Sequence, residues 1–362
     1  MSELNNRHWT ATSTSTDGFP NEGNYQLSRS KDPEPAANQL CAKTIYLSMD
    51  PYQWIRRRAG LEKPGDVCHG RTVSQVTKSR IKGYQEGDFI FNTNGWQDCG
   101  LTGKDISIFD YMRPRKIDPS IAPISTALGV LGILGLTAYA GVFLQCQPNK
   151  GETVVISAAA GGVGQIAGQI AKLNGCHVVG IAGSDEKCHL LTDSFNFDAA
   201  VNYKALDFGE QLLSACPDGI DIYFENVGGN VFKVVKELLN INSRITLCGL
   251  ISMYGDSIER KEHSNKNIVN ALDHVHQEWL KIGGSVFSKN NVKVHNLAVP
   301  AFINDYETIF LSQMAEWIQD GLITFKHDLW IGLENAPSAF IAMFSGANVG
   351  KTLVEVSKDM ST

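Results

Sequence analysis

A chain of 362 residues exceeds one typical domain, and an apolar share of 43% against 19% charged residues suits a globular protein with a large core. A formal net charge of −6, with no block of like charge, excludes the basic field that nucleic acid requires. The eight scattered cysteines form no C-x-x-C pair and the polar N-terminus has no apolar signal core, so reduced thiols in the cytoplasm are expected.

The first ~125 residues carry short β-type runs (44–47, 89–91) among turn formers such as Asp32-Pro33-Glu34-Pro35 and Glu86-Gly87-Asp88, the pattern of a partly open all-β lobe. Arg56, Arg57 and Arg58 are too short a basic cluster for a nucleic-acid arm; local pairing or an anionic group of a ligand is expected there. The most apolar stretch, Ala127 to Leu144, is broken by four glycines, Thr137 and Tyr139, and predicts a buried helix and not a membrane span. Beyond Gly129 strands and helices alternate. Strands are predicted at 153–157, 177–181, 198–201, 220–224 and 243–248, and helices at 163–173, 186–195, 207–215 and 230–240. Such alternation predicts an α/β fold whose parallel sheet is covered on both faces. After Tyr254 a helix is expected near Ile268–Trp279, a strand at 292–299, a helix at 302–318 and a closing strand at 352–356 that rejoins the first lobe. The expected division is 1–127 with 302–362 as the β lobe, and 128–301 as the nucleotide-binding lobe.

The run Val154-Val155-Ile156 enters a loop of small residues and leaves it on an amphipathic helix, the order of a dinucleotide phosphate cradle. Small residues let backbone amides touch the pyrophosphate, and the helix N-terminus faces that anion with unpaired N–H groups. Against G-x-G-x-x-G, Ala159 takes the first place while Gly161 and Gly164 keep the other two. Ala160, Gly161, Gly162, Val163 and Gly164 are therefore the candidate pyrophosphate contacts. A site for NAD places an acid at the end of the second strand, where it binds the ribose hydroxyls. Here that strand ends in Ala182-Gly183-Ser184, and Asp185 comes too late, in the next helix. Lys187, Tyr203 and Lys204 lie close in sequence, so NADPH is expected over NADH.

Several blocks extend the pattern: Ser48-Met49-Asp50-Pro51-Tyr52, Gly95-Trp96-Gln97-Asp98, Gly135-Leu136-Thr137-Ala138-Tyr139, Ala182 to Lys187, Glu225-Asn226-Val227-Gly228-Gly229, Cys248 to Tyr254, Gly332 to Pro337 and Asn348-Val349-Gly350-Lys351. In this order they resemble the zinc-independent medium-chain dehydrogenases/reductases that saturate carbon–carbon double bonds, above all the curcumin-reductase and prostaglandin-reductase branches. The resemblance implies a GroES-like partly open β-barrel, a Rossmann domain, bound NADPH, a small-molecule enone or enal as substrate, and a homodimer. It places the 2′-phosphate at Lys187 and Tyr203, the nicotinamide side at Asn226, Gly249 and Tyr254, Asn348 over the cofactor, and Tyr52 at the mouth of the substrate cleft, with Gly183, Ser184 and Ile251 as further cofactor contacts. The chain departs from the family at Val67-Cys68-His69-Gly70-Arg71-Thr72, which replaces a glycine-rich strand, and at residues 256–291, which are longer and more polar.

Cys68-His69 is the one pair that suggests zinc, but neighbouring residues rarely ligate one ion together and no His-Glu pair accompanies them in this lobe. No metal site is expected, and His295 reads as an ordinary strand histidine. Conjugate reduction instead builds negative charge on the carbonyl oxygen as an enolate, which needs hydrogen-bond donors at that oxygen and a proton for the α-carbon. Phenols are neutral donors at pH 7. Tyr254 is the candidate proton donor or enolate stabiliser and Tyr52 the residue that orients the substrate. A quinone reductase and a non-catalytic NADPH-binding protein are the alternatives.

Overall fold

The β-branched runs form the sheet that their patterning requires. In the computed structural model, which describes residues 4–106, 113–256 and 268–361, six strands pair in parallel. Their order is Ala199–Asn202, His177–Ala182, Thr153–Ile156, Ile220–Glu225, Leu239–Leu247 and Lys293–Asn296. Alternate residues of one strand serve opposite faces: Val154 and Ile156 belong to one core, Val155 to the other. The first core gathers Ile166 and Ile170 of the helix Gly164–Leu173, Leu136 of Ile133–Tyr139, and Ile303, Phe310 and Met314 of Pro300–Gln319. The second gathers Leu212 of Phe208–Ala215, Phe232 of Gly229–Val235, and Trp279 of Ile268–Lys289, a helix kinked at Gly284. Side chains of this size contribute roughly 1.5–3 kcal/mol each when fully buried. Among the described residues no helix is long and apolar enough to cross a membrane. The apolar stretch from Ala127 is instead a short 3₁₀ turn, the helix Ile133–Tyr139 and a wider π turn, Ala140–Cys146.

A separate, mainly antiparallel sheet forms the other lobe. Its longest strand, Gln39–Ser48, pairs with Thr72–Ser79 and also with Cys99–Gly103 and Lys351–Glu355. His327–Ile331 then extends the sheet in parallel beside Lys351–Glu355, so the closing strand does rejoin the first lobe. The expected boundary at residue 302 falls inside a helix, Pro300–Gln319, that packs on the parallel-sheet core, because its buried side chains match that face. The chain returns to the antiparallel sheet at His327.

One first-lobe helix crosses between the two. Tyr52–Arg58 places Ile55 in the second Rossmann core beside Tyr254, Val275 and Trp279. The site therefore lies where the carboxyl ends of the parallel strands meet this helix.

Candidate active site

The cradle runs from Ser157 to Val163, between Thr153–Ile156 and Gly164–Leu173, at the point where the strand order reverses. Its shape is set by close backbone approaches. A Cβ on Gly164 would lie 2.4 Å from the Ala158 carbonyl oxygen, and one on Gly162 would lie 2.6 Å from Leu134. Ala159, in the first glycine place, is fully buried and its N–H donates to the Ile181 carbonyl at 3.0 Å. The turn there is made by the residue before it: Ala158 carries φ +48°, the left-handed conformation that glycine usually supplies. Gly350 N–H donates to the Ala160 carbonyl at 2.8 Å, so the segment that leads into Lys351–Glu355 is clipped onto the cradle.

At the end of His177–Ala182, Gly183 lies under the Tyr203 ring; a Cβ there would meet Cε1 at 3.0 Å. Ser184 caps the helix Asp185–Phe195, its Oγ accepting from the Lys187 N–H. Lys187 Nζ reaches the Gly346 carbonyl at 2.6 Å, and Lys204 Nζ lies 5.8 Å from the centre of the Tyr203 ring. Burial and the charge of Lys204 lower the Lys187 ammonium from its ordinary value. Asp185 turns aside, accepting from Asn202 at 2.8 Å. Asn348 Nδ2 donates to the Gly350 carbonyl. The fold thus gathers Gly183, Ser184, Lys187 and Tyr203 at one strand end.

At the end of Ile220–Glu225, Asn226 is held by Ser157 at both ends: its backbone N–H donates to Oγ at 2.8 Å and its Nδ2 to the carbonyl at 2.7 Å. Ile251 N–H donates back to the Asn226 carbonyl. Tyr254 Oη accepts from the Leu250 N–H at 3.2 Å and sits 3.2 Å from where a Gly249 Cβ would be. Burial pushes the Tyr254 phenol up to about 12, so it stays protonated and able to donate. Arg58 grips the same turn, donating to the carbonyls of Tyr254 and Asp256. The arginine cluster is taken up in such local pairing: Arg57 donates to the Asn24 carbonyl and Arg56 to that of Leu61.

Tyr52 opens the crossing helix. Its hydroxyl is 2.7 Å from His69 Nε2, and the Arg71 guanidinium lies 5.3 Å from its ring centre. Arg71 also pairs with buried Asp50 at 2.8 Å, and Lys351 pairs with Asp50 at 3.1 Å. The two cations hold the Asp50 carboxyl well below the usual carboxylate range, although burial opposes them. Lys351 in turn lies against Gly162 of the cradle. Cys68 packs with Trp96 and Tyr25, so both members of the Cys68-His69 pair have other work. Among the described residues no group of three or more His, Cys, Asp or Glu is arranged to hold a metal ion.

Glu225 was overlooked by the sequence reasoning as a site residue. Fully buried, it accepts from Ser157 Oγ, Tyr223 Oη, Val227 N–H and Gly228 N–H through one oxygen and from Trp279 Nε1 through the other. It fixes the loop that carries Asn226. An acid ending an apolar strand was the available signal. Residues 268–289, read as part of a polar departure, supply Trp279 to this carboxyl; residues 257–267 lie outside the described residues.

With that geometry in place, comparison with known proteins is informative. A family described as zinc-binding dehydrogenase matches residues 162–288, and one described as N-terminal domain of oxidoreductase matches 7–107. The chain is similar to the NADPH-dependent curcumin reductase of Escherichia coli, 36% identical with 98% of each chain covered. It is similar to the NADP(+)-dependent 2-alkenal reductase of Nicotiana tabacum, 37% identical over 94% of this chain and 95% of that protein. The crystal structure of CurA from Vibrio vulnificus in complex with NADPH superposes with a TM-score of 0.82 at 35% identity, covering 98% of this chain and all of that one, 100%.

Proposed function

The chain belongs to the medium-chain dehydrogenase/reductase family, in its NADPH-dependent double-bond reductase branch, and on that premise we propose how its residues carry the reaction. It is an NADPH-dependent oxidoreductase that saturates the conjugated carbon–carbon double bond of small α,β-unsaturated ketones or aldehydes. When bound, NADPH supplies the hydride that the β-carbon receives.

The residues present fit that cofactor. Glycine at 164 lets the loop backbone close onto the start of the helix, where a Cβ would strike the Ala158 carbonyl oxygen, and that helix offers its N-terminal N–H groups to the pyrophosphate. Lys187 and Tyr203, with Gly183 and Ser184, hold the 2′-phosphate where an NAD site would keep an acid. Asn226, Gly249 and Ile251 border the nicotinamide, and Asn348 closes over the cofactor. The observation that carries the chemistry is the Tyr254 phenol, buried, protonated and steered by the Leu250 N–H beside Gly249. Tyr254 donates a hydrogen bond to the carbonyl oxygen as enolate charge develops, and the water-poor setting strengthens that bond. Tyr52 orients the planar substrate from the opposite lobe.

The test follows NADPH absorbance with an enal, an enone, a simple ketone and a quinone. Turnover of the enal and enone is expected; oxidation by the quinone alone would make the protein a quinone reductase, and oxidation by none a binding protein. We further read the protein as a cytoplasmic homodimer, supported by its eight unpaired cysteines and its family, with sedimentation at micromolar concentration as the check on assembly.

A further inference from the structure

The pair Cys68-His69 marks a departure from the family pattern, and the reaction as described leaves His69 without a role. Its imidazole is 5% exposed, yet it is bound to the one first-lobe phenol assigned to the substrate, Nε2 to Oη at 2.7 Å with the rings edge to face at 5.6 Å. The same residue lines a polar cavity of about 460 Å³ with Arg56, Glu62, Asp66, Asn94 and Gln97. Tyr52 occupies Nε2, which leaves Nδ1 as the nitrogen for a second proton transfer. An imidazole with one nitrogen on a phenol and the other toward water can pass a proton without storing it.

We propose that His69 is a proton relay to Tyr52, carrying to the reaction the proton that the substrate's α-carbon takes up. This rests on the reading of Tyr52 as a substrate-side residue. In the step, the enolate's electron pair forms the Cα–H bond as the Tyr52 O–H bond breaks. The phenol oxygen takes the proton of His69 Nε2, and Nδ1 takes one from a cavity water. The hydroxide left is neutralised by solvent, and the imidazole changes only its tautomer. Tyr254 meanwhile holds the enolate oxygen, so the two phenols have separate tasks.

The electrostatics agree. Burial, joined by the facing charges of Arg56 and Arg71, depresses His69 to about 3, while Asp50 opposes them; Glu62 accepts its backbone N–H. The ring is neutral throughout the working range, as a relay that never rests as a cation must be.

A double-substitution cycle tests the relay by NADPH oxidation with a simple aryl enone in the full-length enzyme. His69→Phe is expected to lower kcat about 10²-fold, the usual scale of acid–base assistance, with KM changed by less than twofold. His69→Gln, which keeps an N–H for Tyr52 but cannot transfer a proton, is expected to be as slow and to show an enlarged solvent deuterium isotope effect on kcat. In a Tyr52→Phe background the same substitutions should change kcat by less than twofold. A kcat near that of the unsubstituted enzyme in His69→Gln overturns the relay, as does an equal loss in both backgrounds. If Tyr52→Phe alone is fully active, the placement of Tyr52 fails first and takes the relay with it. Should His69→Phe not fold, the glutamine variant decides.

Discussion

Gly164 has no room for a single added carbon, with the Ala158 and Ala159 carbonyl oxygens closing on it at 2.4 and 2.9 Å. Gly164→Ala must push the loop away from the helix, so it is expected to cost about 1–3 kcal/mol and to raise the KM for NADPH at least tenfold. Chemical denaturation and steady-state kinetics read the two effects separately. On the proposed placement of Lys187 at the 2′-phosphate, Lys187→Ala removes a charge-assisted contact worth about 1.5–3 kcal/mol. The KM for NADPH should rise roughly 10–100-fold while that for NADH changes less than twofold; an equal change would remove Lys187 from the 2′-phosphate. On the proposed role of Tyr254, Tyr254→Phe takes away the donor at the enolate oxygen, and kcat is expected to fall about 10²–10³-fold with NADPH affinity retained. Binding measured by fluorescence titration separates that loss from a misplaced cofactor.

Between elements, the join matters more than either partner. The helix Tyr52–Arg58 is anchored at its start by Asp50, which links Arg71 and Lys351, and at its end by Arg58 on the Tyr254 turn. Removing the one carboxylate between two buried cations leaves their charges facing each other, so Asp50→Ala should destabilise the fold by about 3–5 kcal/mol, measured by urea unfolding. The periodicities of 153–157, 177–181 and 220–224 made these strands legible to within a residue or so, because buried parallel strands are short apolar runs with glycine at their ends. The cradle was legible for the same reason. The antiparallel lobe was far less so. Gln39–Ser48 is one long strand, but register shifts at Cys41/Ala42 and Thr44/Tyr46 break its alternation, and only 44–47 stood out. The pairing of Asn6–Ala11 with Tyr25–Ser30 joins mostly half-exposed strands, where no apolar face announces itself. The strand near 292 shrinks to Lys293–Asn296, since it lies at a sheet edge with one neighbour. In the candidate site, motifs single out Tyr52, Lys187 and Asn226, whereas the Tyr52–His69 bond and the contacts of Glu225 are ones that no spacing encodes.

Across the whole molecule, buried His69 and half-buried His327 both weaken the fold on the acid side. Burial is the leading cause for both: His69 is lowered to about 3 and His327 to about 4, helped by nearby cations. The unfolded chain binds a proton at each near pH 6.5 while the folded one does not, so stability falls as pH drops from about 6.5 toward 4. The slope is about 1.4 kcal/mol per pH unit for each histidine. Asp50 works in a lower window: its depressed carboxyl contributes fully above its unfolded value near 3.9 and is lost only below it. Urea midpoints at pH 7 and 5 should therefore differ, and His327→Gln should remove about half of that difference; an unchanged slope would place the acid sensitivity elsewhere. The clip between Gly350 and Ala160 sets a further order of events. A nascent chain completes the strand and helix around the cradle long before residue 350 has been synthesised, yet the cradle's outer edge is a bond to that residue. Cofactor capture therefore has to wait for the closing strand, and ribosome-bound chains halted before residue 350 should hold NADPH far more weakly than released protein.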